Sequence, residues 1–163
     1  TVKINAVLIG GEGEAEIPRM VELSRELPVE VRFIELMPIG ECAHWPEGRF
    51  IPNTRVLEVV PELEPCGSSG VARLYSLPNA KGRVGLISPL SSQFCPECSR
   101  IRITPDGRLK PCLHSAQEIE LRGLRGAELD AKLMDGICAK PMRHHLSAVS
   151  PSESLRGMSR IGG

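Results

Sequence analysis

Aromatic side chains are scarce in this sequence: one Trp, one Tyr and three Phe among 163 residues. So small a supply leaves little surface on which the bases of single-stranded nucleic acid could stack. A net charge is missing too, because 20 basic residues balance 20 acidic ones. No global positive field draws in nucleic acid or an anionic membrane, and any anion site must be built locally. No apolar run reaches the roughly eighteen residues of a spanning helix. A charged segment followed by an apolar stretch is absent from the start, so no signal peptide is expected. The chain opens on Thr1 in what already reads as a strand, which suggests a piece of a longer protein.

What is present suffices for one ordinary domain, since 41% of the residues are hydrophobic. Residues 2–9 alternate with period two, as a strand does. Ile17, Met20, Val21 and Leu27 form one stripe of a helix expected over residues 15–27, with Pro18 in its first turn and Pro28 as its stop. VRFIELMP then reads as a buried strand. Strand, helix and strand in so short a span make one right-handed βαβ unit with parallel strands. Residues 39–53 read as a Gly- and Pro-rich loop, residues 54–63 as a short helix, and residues 64–70 as another loop. VARLYSLP and RVGLISPL form an expected hairpin around Asn79. SRIRIT and RLKPCL form a second hairpin around Asp106, and a helix is expected over residues 128–140 with Leu129, Leu133 and Ile137 on one stripe.

Gly11-Glu12-Gly13 between a strand and a helix imitates a dinucleotide-binding turn. It fails at the third position, which is Glu16 rather than a small residue, and three nearby glutamates would repel a pyrophosphate.

The chain has six cysteines: Cys42, Cys66, Cys95, Cys98, Cys112 and Cys138. With no sign of secretion, the reduced state is favoured over disulfides. The informative stretch is FCPECSRIRITPDGRLKPCLH, where Cys-x2-Cys is followed thirteen residues later by Cys112. A hairpin centred on Asp106 sets Cys112 opposite Arg100, where neighbouring strands lie about 5 Å apart. Three thiolates suit soft metals. One possibility is a closed zinc site completed by His114; another is a metal group with one position left open. Cys42, Cys66 and Cys138 read as packing or loop thiols. Arg100 and Arg102, spaced i and i+2 on one strand, either clamp an anion beside the metal or lie solvated on an edge.

GLISPLSSQFCPECSRIRITPDGRLKPCL closely resembles the carboxy-terminal signature of the GTP 3′,8-cyclase family, radical S-adenosylmethionine enzymes that open molybdenum-cofactor biosynthesis. VKINAVLI and VRFIELMP resemble late strands of that family's partial β/α barrel, and the ending RIGG resembles its terminal double glycine. The resemblance implies an α/β fold: residues 1–38 as the last strands and helix of the barrel, residues 39–146 as an antiparallel α+β domain, and residues 147–163 as a flexible tail.

It also implies that Cys95, Cys98 and Cys112 hold a [4Fe-4S] cluster whose fourth iron binds the guanine of GTP. Arg32, Arg100 and Arg102 would hold GTP. Gly162 and Gly163 would reach into the barrel and support cleavage of S-adenosylmethionine. In the family, a second [4Fe-4S] cluster at the amino-terminal end reduces S-adenosylmethionine, and the resulting radical abstracts hydrogen from the ribose of GTP. The Cys-x3-Cys-x2-Cys motif for that cluster is missing here, so this chain is expected to be the substrate-binding half, inactive alone and needing the missing barrel half. Gly13 and Ser99 also depart from the family, which usually has Asn at both. Cyclic pyranopterin monophosphate synthase would be the next enzyme and a homodimer is possible; neither a nucleic-acid nor a membrane partner is expected. The implied location is the cytoplasm of a bacterium or archaeon, or the mitochondrial matrix of a eukaryote. The competing reading is a non-catalytic zinc or iron–sulfur module, or the auxiliary-cluster domain of another radical enzyme.

Overall fold

The computed structural model describes residues 1–161. These fall into two compact units, the first made of Thr1–Leu36 and Pro46–Phe94, the second of Met37–Trp45 and the chain from Cys95 onward.

In the first unit, β1 (Val2–Leu8), α1 (Ile17–Glu26) and β2 (Val29–Glu35) form the expected βαβ unit, with β1 and β2 parallel. The short helix α2 (Thr54–Val59) follows, and then β3 (Glu64–Ser69), β4 (Ala72–Ser76) and β5 (Arg83–Ile87). One mixed sheet results, in the order β1-β2-β5-β4-β3. β5 runs parallel to β2, and β4 runs antiparallel to both β5 and β3. Because β3–β5 hydrogen-bond into the same sheet as β1 and β2, compactness does not divide the chain at residue 38. Residues 64–69, read as loop from composition, are a strand. Pro65 and Gly67 are tolerated because β3 is an exposed edge with an irregular register between those two residues, and Gly70 turns the chain with φ 59°.

The core of this unit is apolar. Ile17 and Val21 of α1 pack on Val31 and Phe33 of β2, Val84 of β5 and Val56 of α2. Leu27 was expected on the helical stripe but is exposed, because α1 ends at Glu26 and the backbone turns extended before Pro28. Gly13 sits in tight quarters: a Cβ there would meet the Ile9 carbonyl at 2.8 Å, so the residue without one fits this turn.

At the end of β2, the carboxylate of the buried Glu35 accepts from the backbone N–H of Asn53 at 3.0 Å, Leu90 at 2.8 Å and Ser91 at 3.0 Å, and from the Ser91 hydroxyl. The buried Asn53 amide donates to the Phe33 carbonyl at 3.2 Å and the Ile87 carbonyl at 2.7 Å. These bonds pin the loop entering α2 and the loop leaving β5 to the ends of two parallel strands.

The second unit holds β6 (Arg102–Ile103), β7 (Arg108–Lys110) and β8 (Ile119–Glu120) in one antiparallel sheet, followed by α3 (Gly126–Cys138). β8 lies in a polar stretch that showed no strand pattern. The face of α3 that packs inward is centred on Gly136, while Ile137, expected on the buried stripe, is 46% exposed. A Cβ on Gly136 would lie 1.8 Å from Leu109 Cδ2, so the helix backbone rests directly on the β7 side chain. In the tail, Leu155 is exposed, whereas Ile161 is fully buried. Gly162 and Gly163 lie outside the described residues.

Gly136→Ala is expected to push α3 off Leu109 and cost about 1–3 kcal/mol, the usual range for an overpacked contact. Urea unfolding checks it, and adding Leu109→Ala should return part of the loss.

Candidate metal and anion site

Thr104-Pro105-Asp106-Gly107 makes the tip of the cysteine hairpin. The Gly107 N–H donates to the Thr104 carbonyl at 2.9 Å, and Gly107 takes φ 81°, which suits a residue without Cβ. The Thr104 hydroxyl and backbone close the base of the turn on Arg108. Arg102 pairs with Lys110 and Ile103 with Leu109, so the hairpin is centred on Asp106. Continued outward, that register sets Arg100 against Cys112. On the other arm, Cys95–Glu97 forms a 3-10 turn, and the Cys98 N–H returns to the Cys95 carbonyl at 3.1 Å.

The ladder stops at Arg102 and Lys110. Pro111 has no N–H to extend it. Instead, the Lys140 ammonium just beyond α3 donates to the Arg100 carbonyl at 2.8 Å and the Pro111 carbonyl at 3.2 Å, stapling the two arms where they leave the sheet. Cys95, Cys98 and Cys112 are half-buried free thiols. Among the described residues, no three Cys, His, Asp or Glu side chains close on a single ion position.

Cations and carboxylates alternate around this hairpin. Lys110 is fully buried, and its ammonium donates to the Ser115 carbonyl at 2.7 Å and to Glu118 at 3.5 Å. Arg156 in the tail binds both Glu118 and Asp106. Its guanidinium holds the Asp106 carboxyl well below the usual carboxylate range and lowers that of Glu118. His114 is buried against His144, the ring centroids 4.7 Å apart, and its Nδ1 has no hydrogen-bond partner. Burial, then the positive charges around it, push its pKa down to about 4, so the imidazole is neutral at pH 7. His114, Arg143, His144, His145 and Ser152 line a cavity of about 220 Å³.

The sequence-derived arginines occupy different settings. Arg102 is half-buried on β6, and its charge reaches His114. Arg100 is exposed and precedes β6, so the strand periodicity that would align the two guanidiniums does not extend to it. In the first unit, Arg32 is bound by Glu30 at 2.5 Å and by the Ser69 hydroxyl at 3.1 Å. A Cβ on Gly85 of the neighbouring strand would meet the Arg32 side chain at 3.0 Å, so that glycine makes room for it. Cys42 lies in the 3-10 turn Gly40–His44, Cys66 on the exposed β3, and Cys138 at the end of α3. Sequence reasoning passed over Lys110, Glu118, Lys140 and Arg156. Only Pro111, a missing donor beside Cys112, hinted that some other group must serve the hairpin.

A family model described as Molybdenum Cofactor Synthesis C matches residues 29–146. Curated relatives named GTP 3′,8-cyclase include that of Alkaliphilus metalliredigens, 49% identical over 169 residues that cover 99% of this chain and 52% of the relative. The relative from Alkaliphilus oremlandii is 47% identical over 167 residues, and that from Clostridium acetobutylicum 44% over 166, with the same coverages of 99% and 52%. The chain thus spans about half the length of the curated relatives it matches. No helix among the described residues is long and apolar enough to cross a membrane.

Lys140→Met is expected to speed amide exchange at Ile101 and Cys112 by about tenfold, the equivalent of about 1.4 kcal/mol of local opening. Exchange in the first unit should not change. Hydrogen-exchange mass spectrometry on overlapping peptides measures both.

Proposed function

The chain belongs to the Molybdenum Cofactor Synthesis C family, and we propose that it is the carboxy-terminal, substrate-binding half of a GTP 3′,8-cyclase. The full enzyme would convert GTP, with S-adenosylmethionine, to 3′,8-cyclo-7,8-dihydroguanosine triphosphate. The observation that carries this reading is the cysteine hairpin. Cys95 and Cys98 lie on the arm before its turn and Cys112 on the arm after it, and all three fall within the segment that the family model matches.

The donor set fits a [4Fe-4S] cluster held by Cys95, Cys98 and Cys112. In such a cluster each thiolate binds a different iron, so the three need not close on one point as the ligands of a single zinc must. All three thiols are free and none is sealed from solvent. When bound, the cluster would supply an open iron that takes the guanine base.

The chain's own residues would orient the substrate. Arg102, half-buried near the neutral His114, would contribute a positive charge for the triphosphate, and the exposed Arg100 a second one. Arg32, its direction set by Glu30 and Ser69, would act from the first unit. Gly162 and Gly163 would serve cleavage of S-adenosylmethionine. Holding GTP in one pose removes orientational freedom before the reaction, and this is the share of the barrier a substrate-binding half can lower. Alone, the chain would neither cyclise GTP nor cleave S-adenosylmethionine, because it carries no Cys-x3-Cys-x2-Cys motif.

Anaerobic reconstitution with iron, sulfide and zinc all available should give brown protein with about four irons per chain. Cys98→Ala should abolish iron binding and Cys42→Ala should retain it. Stoichiometric zinc without sulfide would replace this reading with that of a structural zinc module. In the full-length enzyme, Arg100→Ala and Arg102→Ala should each lower turnover by about ten- to a hundredfold, the worth of one charge-assisted contact to an anion. Wild-type cyclisation by Arg102→Ala would remove the anion-holding role.

A further inference from the structure

Arg156 stands in the tail, yet all of its side-chain bonds run to the cysteine-hairpin region. Its Nη1 and Nη2 donate to the two carboxylate oxygens of Asp106 at 3.0 and 2.7 Å. Its Nε and Nη2 donate to the two oxygens of Glu118 at 2.6 and 2.8 Å. One planar guanidinium therefore fills two carboxylate forks, a geometry lysine cannot copy. Asp106 is the tip of the cysteine hairpin, and Glu118 leads into β8. The residues around Arg156 are docked as well. The Ser152 N–H donates to the Pro38 carbonyl at 3.0 Å, a Cβ on Gly40 would lie 3.2 Å from Gly157 Cα, and Ile161 is fully buried.

The hairpin does not need Arg156 for its own charge balance. Glu118 also has Lys110 at 3.5 Å and Arg108 at 3.9 Å, and Asp106 has Arg108 at 3.6 Å. Without Arg156, both carboxylates keep a cation, so the sheet keeps its partners. The tail is what would lose its attachment.

We propose that Arg156 is a positioning residue for the reaction: it latches the carboxy-terminal tail to the tip of the cysteine hairpin, so that the residues after it start from a fixed point on the element that carries the cysteines. This inference rests on the reading above in which Gly162 and Gly163 serve the reaction. The link ties the element that would present the tail to the element that would hold the metal, and it can be cut without touching either set of functional residues. The Arg156 guanidinium lowers the pKa of both carboxyls, so both are ionised at neutral pH and the latch is closed there.

The test compares Arg156→Ala, Arg156→Lys, Asp106→Asn and the Arg156→Ala/Asp106→Asn double variant in the full-length enzyme. Four quantities are read: amide exchange of residues 157–161, iron per chain, KM for GTP and kcat for cyclisation. The expected result for Arg156→Ala is faster exchange in the tail, with iron content and KM unchanged and kcat lowered by about tenfold, the pattern of an interaction used only on the way to the transition state. Arg156→Lys should recover part of kcat, and the double variant should be no worse than Arg156→Ala alone. Unchanged tail exchange in Arg156→Ala would show that there is no latch. Faster exchange with wild-type kcat would keep the attachment but end its role in the reaction, placing the failure in the reading of the double glycine. Loss of iron or of thermal stability in both Arg156 variants would make the residue a structural support and overturn the proposal.

Discussion

A buried ammonium organises the second unit. Lys110 has no solvent exposure, and its charge is met by one carbonyl and by Glu118. Removing one partner of a buried ion pair typically costs about 3–5 kcal/mol, because the other charge is stranded. Glu118 must therefore stay where it is, and its position constrains the segment entering β8 and the guanidinium of Arg156. Few apolar groups share this task. The buried aliphatic side chains of the unit, among the described residues, are Ile39, Leu109, Leu146 and Ile161. A three-stranded sheet this short depends on where its charges sit.

The first unit is held differently. Its helix–sheet core is apolar, and its most connected buried polar groups sit where two strands end. There Glu35 and Asn53 satisfy backbone groups that the sheet no longer reaches. Such bonds stabilise modestly when made, but burying those donors without an acceptor would cost more, which is why both residues are buried and hydrogen-bonded. The contrast between the units follows from their composition. Val31, Phe33 and Val84 can exclude water on their own, whereas the hairpin region is rich in Arg, Lys and Glu.

Period-two and helical patterns made the βαβ unit and both hairpins legible, including the centring of the second hairpin on Asp106, because the tight turn there leaves little choice of pairing. β3 was not legible: its Pro, Cys and Gly composition is that of a loop, and it becomes a strand only because β4 offers it an edge. Gly136 hid the inward face of α3, since hydrophobic periodicity gives no weight to a residue whose value is the side chain it lacks. The long-range ion pairs were also out of reach. No local spacing links Arg156 to Asp106, which lies 50 residues earlier. The cysteine spacing was readable because metal chemistry restricts it; the charges around it obey no such rule.

The Gly136 contact has a mechanical meaning. A helix whose backbone rests on a single leucine behaves like a keyed shaft: it can slide along its groove, but any turn about its own axis drives a bulkier side chain into Leu109. Its torsional phase is locked. Lys140, two residues past the end of α3, inherits that phase and so reaches the same pair of carbonyls each time the hairpin re-forms. Alignment of the two thiol-bearing arms is thus decided about 6 Å away, by the rise of about four residues, at about 1.5 Å each, between the key and Lys140. A glycine carrying no functional group of its own sets the angle from which a lysine does its work.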